Sequence, residues 1–139
     1  MPSWWQALWC GEAGDALVEF ALVLSVLMLI LMGIFDFGRA FYANAALTNA
    51  ARDGARFATV NYSQPNWVIS TTNVVKGSLF GLNPSSSTLF ITPTISSDQT
   101  RITVQVDYKF YAVTGVISRF FGTPGYLRIH AQSSMLTGQ

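Results

Sequence analysis

From Ala16 to Phe35 the chain reads ALVEFALVLSVLMLILMGIF, twenty residues with Glu19 as the only charge. A helix of about 20 apolar residues covers the hydrocarbon core of a bilayer, so the pattern predicts one transmembrane helix over residues 16–35. A cleavable secretory signal has a shorter apolar run of about 7 to 15 residues. Ala43, Asn44 and Ala45 do form a small-x-small site downstream, but the length of the run favours a span. Nothing then stops the helix: residues 36–59 contain no proline, and alanines at 40, 43, 45, 46, 50, 51, 55 and 58 favour helix strongly. One helix from about Asp15 to Thr59 would extend roughly 65 Å at about 1.5 Å per residue. Asp36 and Arg39, and Asp53 and Arg56, stand three apart and can meet on a helix surface, where they would mark the exit from lipid. Gly33, Gly38 and Gly54 are small positions that would let another helix approach.

The helical pattern breaks at Asn61-Tyr62-Ser63-Gln64-Pro65-Asn66, a polar stretch with a proline. Val68, Val75, Leu79 and Leu82 recur at helical spacing, predicting a second, amphipathic helix over Asn66–Leu82 with Ser63 or Asn66 as its cap. After the turn at residues 83–87, the β-branched stretch Thr88–Ile95 predicts a strand whose Pro93 suits an edge position. Ile102, Val104, Val106, Tyr108 and Phe110 alternate with polar residues and give the clearest strand. Residues 112–121 suggest a short helix, and Leu127, Ile129, Ala131 and Ser133 a third alternating strand. The fold class expected is α+β: a long N-terminal transmembrane helix and a small C-terminal head of one or two helices on a three-stranded antiparallel sheet.

Half of the residues are apolar and 11% are charged, against roughly a quarter charged in soluble domains. That deficit fits a chain that shares itself with lipid. Net charge is +1 and the basic residues are scattered, so the basic face that nucleic acid requires is missing. Cys10 is the single cysteine, which rules out an intrachain disulfide and a cysteine-built metal site. His130 falls on the strand face of Arg128 and Gln132, away from Leu127 and Ile129, and reads as solvated. Ser85, Ser86 and Ser87 sit in no nucleophile motif, and phosphate-cradling glycine loops are lacking. No cofactor is implied, and the chain reads as a structural protein and not as an enzyme. Asn61-Tyr62-Ser63 is formally a glycosylation acceptor, a short match that carries little.

Two features flank the span. Trp4, Trp5 and Trp9 precede it and suit the headgroup layer. The first basic residues, Arg39, Arg52 and Arg56, follow it, and a bare positive-inside count would put the C-terminus in the cytoplasm. Long folding domains translocate largely regardless of such charge, and the expected topology is a single pass through the cytoplasmic membrane with an extracytoplasmic head. Glu19 is the residue that demands a function. A carboxylate inside an apolar helix is costly and either reaches an interface or meets a cation.

Gly14-Asp15-Ala16-Leu17-Val18-Glu19-Phe20, followed at once by the apolar run, resembles the processing site of type IV prepilins, and specifically of TadE-like pseudopilins of the tight-adherence, Flp-type pilus system. Phe35-Asp36-Phe37-Gly38-Arg39 and Ala46-Leu47-Thr48-Asn49-Ala50-Ala51-Arg52-Asp53-Gly54-Ala55-Arg56 are similar to two further blocks of that family, with Asp36 where glutamate is frequent. The residues before Gly14 lack the basic residues usual there. The resemblance covers about residues 14–60. It implies a leader over residues 1–14, cut between Gly14 and Asp15 by a prepilin peptidase, a long helix over 15–60 and an exported head over 61–139. It implies Glu19 and Phe20 as assembly residues, and as partners the membrane, other pilin subunits packed helix to helix and the pilus assembly platform. The cation for Glu19 would be the new amine of Asp15, most simply from a neighbouring subunit. The alternative is an uncleaved single-pass membrane protein whose head binds a partner or the cell envelope.

Overall fold

The computed structural model describes residues 12–82, 85, 87–112 and 125–137. They form an α+β fold of two helices and three strands: α1 (Glu12–Asn61), α2 (Trp67–Ser78), β1 (Leu89–Ile95), β2 (Arg101–Phe110) and β3 (Leu127–Leu136). The chain divides into a unit that ends at Phe35 and a second unit, Asp36–Gln139.

In the first unit, α1 is already helical at Glu12, three residues before the expected start. No proline lies between Pro2 and Pro65 to stop it earlier. The side chains from Gly14 to Phe35 are exposed apart from half-buried Gly33. The stretch is long and apolar enough to cross a membrane, and none of its apolar window is buried within the chain. Such an all-round apolar surface requires lipid or protein around it. Ser25 hides its polarity by donating from Oγ to the Ala21 carbonyl at 2.7 Å.

The second unit begins where the helix acquires a buried stripe. Asp36, Ala43, Leu47, Ala50, Ala51, Gly54, Ala55 and Ala58 are buried, at the three- and four-residue steps that align one helical face. This is why residues 36–61 pack with the rest of the head. The stripe joins Val75 of α2, Leu79 just after it and the inward residues of the sheet in one hydrophobic cluster. Alanine and glycine let the backbones approach closely, and Gly54 is the extreme case. A Cβ there would run into Val75 Cγ2 and lie 3.4 Å from Val104 Cγ1 and 3.6 Å from Thr71 Cγ2. Gly54 therefore serves packing within the head, whereas a Cβ at Gly33 or Gly38 would meet nothing within 4 Å.

Asn61 ends α1 by donating from Nδ2 to the Phe57 carbonyl at 3.0 Å, and its own carbonyl accepts from the Gln64 N–H at 3.0 Å. The second helix is shorter than expected. Asn66 occupies its N-cap position without a side-chain cap bond, and Leu79 ends it with φ −88° and ψ 72°. Gly77 and the turn at Gly81, with φ +72°, account for the early stop, since glycine weakens helix and readily takes the left-handed conformation. Thr71 on α2 is fully buried and its hydroxyl has no hydrogen-bond partner among the described residues. A buried hydroxyl left unpaired costs about 1–3 kcal/mol. Thr71→Val, which keeps the shape, is expected to raise stability by about 1 kcal/mol in a urea titration of the detergent-solubilised chain.

The sheet has the order β1-β2-β3 and is antiparallel throughout. Pro93 lies on edge strand β1 opposite Val104, as expected of a residue with no N–H to give a central ladder. Ile102, Val104, Val106 and Phe110 are buried, as are Ile129 and Ala131, which is the alternation read from the sequence. β3 runs on to Leu136, beyond the expected Ser133. The extension is explained by the β1–β2 turn: Thr137 donates from its N–H to Thr100 O at 2.9 Å and from Oγ1 to Gln99 O at 2.6 Å. The short helix expected over residues 112–121 lies outside the described residues apart from Ala112.

Candidate functional sites on the apolar helix and the outer sheet face

Gly14, Asp15, Glu19 and Phe20 all lie on α1 and are exposed. Asp15 and Glu19 are four residues apart and share a helix face. Among the described residues Glu19 has no hydrogen bond or ion pair, so no described residue answers its charge. The Gly14–Asp15 bond stands inside the helix, and cutting it would require local unwinding.

Farther along, Asp36 is 1% exposed, which corrects the expectation that both Asp–Arg pairs lie on the helix surface. It belongs to the buried stripe, and Arg39 Nη1 lies 3.9 Å from its Oδ1. The Arg39 guanidinium also stands 5.4 Å from the Phe110 ring centroid, a cation–π contact. Asp53 and Arg56 both remain exposed.

Residues 14–56 match the family model of TadE-like protein. The match begins at Gly14, takes in Glu19 and Phe20, and ends at Arg56. It covers about a third of the chain and associates it with the tight-adherence pilus system. No curated protein and no solved structure matches the chain significantly. The TadE-like segment thus contains the whole apolar run and most of the stripe on which the head is built. Among the described residues one helix, near the N-terminus, is long and apolar enough to cross a membrane, which fits a single-pass membrane protein.

Beyond the TadE-like segment, the outer face of the sheet gathers polar residues. His130 is on the solvated face, as its parity predicted, and opposite it across the β2–β3 ladder stands Asp107. His130 Nδ1 lies 2.9 Å from Asp107 Oδ1, and Gln105 Nε2 donates to Asp107 Oδ2 at 3.2 Å. Sequence reasoning missed this pairing because the residues are 23 apart. Partial burial alone would raise the Asp107 pKa. The hydrogen bonds from His130 and Gln105, with the charges of His130 and Arg128, outweigh it and hold the carboxyl below its ordinary value. Beside them the Lys109 ammonium lies 5.3 Å from the ring centroids of both Phe90 and Tyr126. Phe90, Asp107, Tyr108, Lys109 and Arg128 line a recess of about 190 Å³, below the roughly 300 Å³ at which small-molecule sites begin. Among the described residues no group of three or more His, Cys, Asp or Glu side chains is placed to hold a metal ion.

The Asp107–His130 contact makes a prediction about acid. A carboxylate whose folded pKa is lowered adds stability above its unfolded value of about 4, and that contribution is lost as pH falls through the folded value. Both side chains are partly exposed, so the contribution stays below about 1 kcal/mol. Asp107→Asn is expected to be less stable than the parent at pH 6, with the deficit shrinking as pH falls below about 4. Denaturant titrations across this pH range check this.

Proposed function

We propose that the chain is a structural, non-enzymatic subunit of a tight-adherence pilus, a minor pilin or pseudopilin that supports assembly and surface attachment. The observation that carries the reading is Glu19. It is the only charged residue of the apolar run over residues 16–35, exposed on the helix and five residues past the glycine at which the TadE-like match begins. On this reading a prepilin peptidase cuts after Gly14. The amine freed on Asp15 becomes the cation that neutralises Glu19 of a neighbouring subunit, and apolar helices bundle along the run that includes Phe20. The head stays outside the cytoplasmic membrane until the assembly platform draws the helix from lipid into the filament.

The second reading is an uncleaved single-pass membrane protein whose head binds a partner or the envelope. It is favoured by the helical state of the Gly14–Asp15 bond, which withholds it from a peptidase, since cleavage needs an extended chain. Intact-mass and N-terminal analysis of the native protein separates the two. A chain beginning at Asp15 supports the pilin reading, and one retaining residues 1–14 in the filament overturns it.

A further inference from the structure

We propose that the head docks against the bilayer surface through an aromatic rim formed by Phe37, Phe41 and Phe80, with lipid as its occupant. These residues are 71%, 68% and 79% exposed. Phe37 and Phe41 are one helical turn apart on one face of α1. Phe80 comes from the turn after α2, and its exposure is imposed by its neighbours. Leu79 before it is buried and Leu82 after it packs on the core. The Phe80 carbonyl accepts a hydrogen bond from the Tyr42 hydroxyl at 2.9 Å. Gly81, at φ +72°, brings the backbone so close that a Cβ would lie 3.4 Å from that hydroxyl. The turn is therefore fastened to α1 with its phenyl ring pointing away from the protein. Side chains on a helix lean toward its N-terminus. The Tyr42 hydroxyl accordingly reaches back toward the turn of Gly38 and Arg39 and carries Phe80 to the level of Phe37 and Phe41.

The occupant is set by continuity. Phe37 is two residues past Phe35, where the apolar run ends, so chain connectivity keeps Phe37 and Phe41 within one or two helical turns of the lipid boundary, and the Tyr42 hydrogen bond ties Phe80 to the same stretch of α1. Exposed aromatic side chains at that depth belong in the acyl–headgroup layer, which amphipathic surfaces enter by about 5–10 Å. Arg39, exposed between Phe37 and Phe41 in sequence, supplies a cation at headgroup height. The inference rests on the membrane-span reading, and it is independent of cleavage and of pilus assembly.

The test is nitroxide accessibility in the full chain, reconstituted in vesicles of phosphatidylethanolamine and phosphatidylglycerol. A C10S background leaves one cysteine at a time: F80C and F41C on the rim, L27C in the span, and V60C as a control at a position 77% exposed and remote in sequence from the boundary. Rim probes are expected to be several-fold more accessible to oxygen than to a water-soluble nickel chelate, as L27C should be, with V60C the reverse. Rim probes that behave like V60C while L27C sits in lipid overturn the docking alone. L27C in water overturns the membrane reading and the docking with it. Rim probes shielded from both reagents would report a protein neighbour, and that too overturns the proposal.

Discussion

Replacing Gly54 by valine is expected to destabilise the head by about 3 kcal/mol or more, from the overpacking of a core that has no room to yield. The Cβ alone meets Val75 Cγ2, and Val104 of β2 and Thr71 of α2 lie within 3.6 Å of it, so a larger side chain runs into both α2 and the sheet. Small domains are stable by only about 5–15 kcal/mol, and a loss of this size would be plain as a lowered midpoint in a urea titration. Gly54→Ala separates two opposed effects. Alanine gains about 1 kcal/mol of helix propensity at this position and loses it to the clash. A cycle with Val75→Ala reads out the clash directly. Gly54→Ala should be better tolerated when Val75 is already alanine, with a coupling of about 1 kcal/mol or more. Equal effects in the two backgrounds would show that the contact with Val75 is not what excludes a side chain.

Glu19→Ala is expected to leave the protein in the membrane while its recovery in sheared pili falls tenfold or more. The two halves of this result have different causes. A carboxylate at the middle of a membrane helix costs about 2.5–3.5 kcal/mol and less toward an end, so its loss does not weaken insertion. In the proposed filament the carboxylate is answered by the Asp15 amine of a neighbour, and removing one member of a buried ion pair costs about 3–5 kcal/mol because it strands the other charge. Each 1.4 kcal/mol is a factor of about ten in an assembly equilibrium. Glu19→Gln keeps the volume and removes the charge, and it should be nearly as impaired as alanine. Normal recovery of both variants would mean that Glu19 does not hold subunits together, whatever the fate of the leader.

Much of the fold was legible because it is written in local periodicity. An unbroken apolar run, an alanine-rich stretch without proline and a strict alternation from Ile102 to Phe110 each declare an element and its hidden face without reference to the rest of the chain. Pro93 announced an edge strand because a missing N–H cannot serve a central ladder. Parity alone put His130 on the solvated side. The candidate residues Gly14, Asp15, Glu19 and Phe20 were legible for the same reason, as a short linear pattern.

Tertiary structure alone decided what those faces meet. Asp36 looked like a surface partner of Arg39, but the stripe it belongs to packs with the head, and it is buried there. Gly54 looked like a contact point for another chain's helix, but Val75 and Val104 occupy the space beside it. Asp107 with His130, and Tyr42 with Phe80, come from positions 23 and 38 residues apart. A periodic pattern fixes the direction of a side chain relative to its own element and carries no record of which element lies opposite. The composition of the chain thus settled that one helix seeks lipid and that a small sheet needs a cover. The choice of the alanine stripe of that same helix as the cover, and the fastening of Phe80 to Tyr42 beside that stripe, came only with the packing of residues 36–61, α2 and the sheet against one another.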